Sequence, residues 1–174
     1  MLKRELPRSV NAGHPDSMDS FLLACRPEPD NTIKFVVVDR DGEKAIIGNA
    51  DLRSEGGGIS HEQIAARYAE LARESELYVF GGGKVSVNAH TRRIEIREAS
   101  IAFGPSSECT IVALIRRQLI GSRYADFTVE VADLGEVECC VRDKDSIVPG
   151  KRFDAKSFLS DPSRWRGVRK IYDI

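Results

Sequence analysis

Phe80 to Leu119 reads FGGGKVSVNAHTRRIEIREASIAFGPSSECTIVALIRRQL, and the fold turns on how this stretch divides. Lys84 to Asn88 and Arg93 to Ala99 alternate like half-buried strands, and Ala89-His90-Thr91-Arg92 supplies the tip of a hairpin between them. His90 is a turn residue in this reading. Gly81-Gly82-Gly83 bridges into the hairpin from a short strand at Glu76 to Phe80. At the other end, Phe103-Gly104-Pro105 makes a sharp corner, after which Ser106 or Ser107 caps a helix running from Glu108 to about Leu119. Ile111, Val112, Leu114, Ile115 and Leu119 give that helix an apolar face. Glycine-bearing corners whose backbone N–H groups converge are suited to an anion. The stretch holds no reactive side chain for such a pocket, so one must come from elsewhere.

Upstream, IKFVVVD at Ile33–Asp39 is rich in β-branched residues, Arg40-Asp41-Gly42-Glu43 is a turn centred on Asp-Gly, and Lys44–Gly48 is the returning strand. By the period of two, Lys34 shares a face with Val36 and Val38, and the local pattern reads as a solvated or snorkelling lysine. After a glycine-rich connection, Ser60 and Gln63 form a Ser-x-x-Gln capping box. The helix it opens carries Ile64, Ala65, Tyr68, Leu71 and Ala72 at helical spacing and extends to about residue 75. His61 falls at its first position, where the positive end of the helix dipole disfavours imidazolium and leaves a nitrogen lone pair for chemistry, although the local pattern alone reads as a surface histidine that follows a cap. Downstream, YADFTVEVA at Tyr124–Ala132 alternates Phe127, Val129 and Val131 as a last core strand.

The order β β α β β α β predicts an α+β domain with a mixed sheet of about six strands and two principal helices, covering one or both sheet faces. Three regions follow: an arm at residues 1–31, with four prolines and one possible added strand at Met18–Cys25; the domain at 32–132; and an extension at 133–174, packed on or tethered to the domain. His14, in a Gly-His-Pro setting on the arm, is read as functionally silent.

The chain's 174 residues fit one domain with appended ends. Its formal net charge of -1 with 30% charged residues carries no bias toward nucleic acid or lipid. No apolar run is long enough to cross a bilayer and the first residues lack the apolar core of a signal peptide, so a cytoplasmic location is expected. Cys25, Cys109, Cys139 and Cys140 form no CxxC pair; they read as reduced residues, with no metal site.

Lys34 in IKFVVVD, His61 at the helix start, FGGGKVSVN and SIAFGP together resemble the phosphohistidine phosphatase family, also called Janus/Ocnus, over about residues 33–131. The resemblance implies a small metal-independent phosphatase, without cofactor, that removes phosphate from phosphohistidine, and sometimes phospholysine, on proteins. It implies His61 as the catalytic histidine, Lys34 as a phosphate-binding lysine, Ser100, Ile101 and Ala102 as the cradle, and Lys84 as the basic residue after the glycines. A monomer is expected. Two positions depart from the pattern: the basic residue expected on the strand before the first helix has no clear match, since Lys44 stands at the opposite end of Lys44–Gly48, and Ala99 replaces an aromatic residue common before the cradle serine.

Residues 133–174 lie beyond that resemblance, with a possible strand at Glu136–Arg142 and a Pro-Gly break at Pro149-Gly150. Lys151 to Lys170 hold seven Lys or Arg against two Asp, with Trp165 among them. Such a segment can contact nucleic-acid phosphates and stack on bases. The preferred reading is a tail packed across the domain through Phe158 and Trp165. The alternative to an enzyme is a non-catalytic module that binds phosphoprotein, or nucleic acid through the tail, with the same pocket.

Overall fold

The computed structural model describes residues 32–48, 53–54, 59–132, 139–142, 148–161, 163 and 168–169. The arm at 1–31, its possible strand, His14, Cys25 and Trp165 lie outside them. Within them the chain is α+β, with a six-stranded mixed sheet.

Strands β1 (Thr32–Arg40) and β2 (Glu43–Gly48) form the expected hairpin. Its turn places Asp41 and Gly42 at positive φ, 56° and 82°, which Asp-Gly tolerates well. A two-residue strand, β3 (Arg53–Ser54), precedes helix α1 (His61–Ala72). The capping box is present in both directions: Gln63 N donates to Ser60 Oγ at 3.1 Å, and Ser60 N to Gln63 Oε1 at 2.7 Å. The helix ends earlier than residue 75, because Arg73 takes the left-handed conformation and turns its N–H back on the last carbonyls.

The clearest departure lies in the opening stretch itself. Glu76 to Asn88 is one strand, β4, and the three glycines are part of it. Gly82 and Gly83 pair with Val36 and Phe35 of β1, while a bulge beside Val37 absorbs Gly81 at φ +101°. The glycines are required by crowding. A Cβ on Gly81 would lie 2.3 Å from Pro105 O, and one on Gly82 would lie 2.5 Å from Phe35 O. Their sequence signature is that of a linker, and their cause is close backbone approach.

Strand β5 (Arg93–Ala99) pairs antiparallel with the second half of β4. The segment then passes through β6 (Ser106–Ser107) into α2 (Glu108–Leu119), with Ser107 as N-cap. Strand β7 (Thr128–Val131) is shorter than Tyr124–Ala132 and runs parallel to β5. Strand β8 (Cys140–Val141) pairs with β6. The extension also supplies β9 (Lys151–Asp154), antiparallel to the first half of β4, and α3 (Ala155–Leu159), neither of them marked in its sequence pattern. Strand β10 (Val168–Arg169) pairs with β3.

Period-two alternation divides β1 between two cores. Ile33, Phe35 and Val37 pack with Ile111, Ile115 and Leu119 of α2 on one face. Val36 and Val38 pack with Ile64, Ala65, Tyr68 and Ala69 of α1 on the other. The sheet is therefore covered on both faces. Phe153 stands edge-on to Phe103 at 5.5 Å and packs against Phe158, which is 6% exposed, so the segment after Gly150 joins the α1-side core. No helix among the described residues is long and apolar enough to cross a membrane.

Candidate functional site

The α1 face of the sheet outruns the helix that covers it. Lys34 lies on that face, ahead of Val36 and Val38, and is opposite Lys84 across the β1–β4 pairing. The Lys34 ammonium donates to Ile59 O at 2.7 Å, two residues before His61. It is thus held half-buried at the helix entrance, a firmer position than the solvated lysine its local pattern suggests. Burial and the neighbouring Lys84 charge lower its pKa from the ordinary lysine value.

His61 occupies the first position of α1, where Ser60 and Gln63 fix the entry of the chain. Its ring lies over Gly82: a Cβ on that glycine would be 3.1 Å from His61 Cδ2 and 3.3 Å from Ser100 Cβ. His61 Nε2 is 3.0 Å from Gly83 O. A carbonyl only accepts, so Nε2 carries the proton in this bond and the neutral ring keeps its lone pair on Nδ1. The pKa of His61 is lowered. Burial is the largest cause, the Gly83 carbonyl opposes it, and Lys34 and Lys84 lower it further. The ring is therefore neutral near pH 7 chiefly because it is desolvated, where the sequence reading credited the helix dipole.

Ser100, Ile101 and Ala102 form a tight loop against the glycine strand. Ser100 N donates to Gly82 O at 3.0 Å, and Gly82 N donates to Gly104 O at 3.1 Å. Ser100 is 2% exposed and its hydroxyl accepts from Phe103 N at 3.1 Å, so its first task is to shape the loop. The hydroxyl keeps one proton to donate. The N–H groups of Ile101 and Ala102 have no partner among the described residues, although the loop around them is hydrogen-bonded throughout. Two adjacent free donors are what an anion cradle needs. Ile101's side chain points fully into solvent, leaving only its backbone to serve a pocket.

Lys84 is ion-paired with Glu98 at 2.5 Å. Glu98 is the extra residue of a bulge between Gly83 and Lys84 and sits at φ +58°. The sequence gives no signal for this glutamate. The alternation of RIEIREA reads as a regular strand, and a bulge leaves no mark in that pattern. The structure thus places Lys34, His61, Lys84 and the Ser100 loop around Gly82 and Gly83. His90 lies remote from them at the exposed β4–β5 turn.

Among the described residues, no group of three or more His, Cys, Asp and Glu is arranged to hold a metal ion. Cys109 is an exposed free thiol, and Cys139 and Cys140 are buried free thiols. Burial pushes the Cys140 thiol up to about 12, away from nucleophilic use. No family model matches the chain, and no curated protein matches it either.

Proposed function

We propose that this protein is a metal-independent protein phosphohistidine phosphatase that hydrolyses a P–N bond. The observation that carries the reading is the His61–Gly83 bond: a neutral imidazole with its proton on Nε2 and its lone pair on Nδ1, flanked by Lys34 and by two free backbone donors. The resemblance at Lys34, His61, FGGGKVSVN and SIAFGP supports the same assignment.

A phosphoryl group brings two negative charges and three acceptor oxygens. Lys34 and Lys84 supply the positive charge, and Ile101 N–H, Ala102 N–H and the Ser100 hydroxyl supply oriented donors. His61 then serves in one of two ways. As general base, Nδ1 takes a proton from water while the water oxygen bonds to phosphorus, and the P–N electron pair leaves with the substrate imidazole, whose freed nitrogen takes up a proton from solvent. As nucleophile, Nδ1 itself bonds to phosphorus as the substrate imidazole leaves with the P–N electron pair and a proton from solvent, and water later hydrolyses the transient phosphohistidine at position 61. Recovery of phosphate covalently bound to His61 during turnover separates the second route from the first.

The test is release of phosphate from a phosphohistidine peptide in EDTA. Turnover by the native protein that falls at least about a hundred-fold in His61→Ala supports the proposal, in line with the usual contribution of a positioned acid–base group. Tight binding of the peptide without turnover transfers the assignment to a phosphoprotein-binding module.

A further inference from the structure

The loop that forms the proposed cradle also forms one wall of a pocket. Phe103, Gly104 and Pro105 continue directly from Ile101 and Ala102, and with Val141, Val148, Pro149 and Lys151 they line an open pocket of about 370 Å³. That size lies within the roughly 300–1,000 Å³ typical of ligand pockets. Apart from Lys151, the side chains around it are apolar.

Lys151 stands where this pocket meets the loop. It lies 49 positions from Ala102 in sequence, yet its ammonium is 3.5 Å from Ala102 O. The pairing of β9 with β4 puts it there, opposite Val79. Gly104 leaves room beside it: a Cβ there would come 3.9 Å from Lys151 Nζ, and its φ of +78° disfavours a side chain in any case. At Gly104 the loop thus presents only backbone to Lys151. Gly104 O accepts from Gly82 N, and Gly82 carries the His61 ring, so the compartment begins one hydrogen bond from the strand that holds the histidine.

We propose that this compartment is a specificity subsite, which binds the apolar side chain of a residue adjoining the phosphohistidine in a protein substrate. The inference rests on the phosphatase reading and adds the substrate class. With phosphate on the Ile101 and Ala102 N–H groups, the substrate backbone crosses the loop toward Lys151. The Lys151 ammonium meets a peptide carbonyl there, and the neighbouring side chain enters the apolar walls. A carboxylate or amide in that place has Lys151 as its one side-chain partner, already engaged by the peptide carbonyl, and otherwise loses water against Phe103, Pro105, Val141, Val148 and Pro149.

The experiment uses the full chain and three substrates: free phosphoramidate, a phosphohistidine peptide with leucine on both sides of the modified residue, and the same peptide with glycine there. The expected result is a kcat/KM about ten-fold or more higher for the leucine peptide, carried mainly by KM, as one apolar side chain in a pocket provides. Val148→Asp brings the leucine-to-glycine ratio toward one, and Val148→Ser lowers it in the same direction. Because each ratio is taken within one protein preparation, partial unfolding cancels. Equal kcat/KM for the two peptides in the native protein, or a ratio unmoved by both variants, overturns the subsite. If phosphoramidate is still hydrolysed in that case, the phosphatase reading stands; if none of the three substrates is hydrolysed, that reading falls and the subsite falls with it.

Discussion

His61 is held by two independent constraints, a helix cap on its backbone and a carbonyl on its ring, and the proposed chemistry depends on both. Its pKa lies below the ordinary histidine value of about 6.5, so the unfolded chain takes up this proton first as pH falls. The His61 contribution to stability is therefore lost as pH drops through about 6.5, and the loss is complete below the folded pKa. Urea titrations across this range should show a slope that His61→Gln removes. The same depression predicts that the acid limb of the proposed activity lies below pH 6.5, measurable from kcat/KM against pH. Lys34→Met should raise KM for a phosphorylated substrate about ten-fold or more, since it removes a charge-assisted contact worth about 1.5–3 kcal/mol. Gly82 is equally exposed to test. In Gly82→Ala the new methyl lies 2.5 Å from Phe35 O and 3.1 Å from the His61 ring, so the strand or the ring must move. A loss of about 1–3 kcal/mol in urea unfolding, with a fall in turnover, is the expected outcome.

At the level of elements, the sequence was most informative where one periodicity or one cap governed. Alternation in IKFVVVD placed Lys34 with Val36 and Val38, and Ser60 with Gln63 located the start of α1. It was least informative where tertiary crowding governed. Gly81 to Gly83 carry a linker composition yet lie inside β4, because the approach of Phe35, Pro105, His61 and Ser100 excludes any side chain there. The bulge at Glu98 is hidden for a similar reason: one added residue shifts pairing without changing composition. The cap that was legible is also testable. Ser60→Ala should cost about 0.5–2 kcal/mol of stability. It should lower turnover beyond that effect, because the cap sets the entry angle of the His61 backbone; kinetics under fully folded conditions separate the two.

For the whole molecule, the six-stranded sheet joins a part whose pattern reads locally to a part that does not. Strand β9 takes the edge of β4 that β5 leaves open, and Arg152 reaches Glu76 across that pairing. KRFD, at Lys151–Asp154, is too short and too charged to declare itself a strand, and nothing local could place Lys151 beside Ala102. Phe158 was legible as a packing anchor from its size alone; its contact with Phe153, and through it Phe103, makes the extension part of the core under the loop. Phe158→Ala should cost about 3–5 kcal/mol, read from the shift in the urea midpoint.

The central claim is that a neutral, positioned His61 performs P–N hydrolysis without a metal. Phosphate release from a phosphohistidine peptide, followed in EDTA for the native protein and His61→Ala side by side, tests it most directly. The account predicts steady turnover by the native protein and loss of at least about a hundred-fold in the variant. Equal turnover by the two proteins, or none by the native protein, would contradict it.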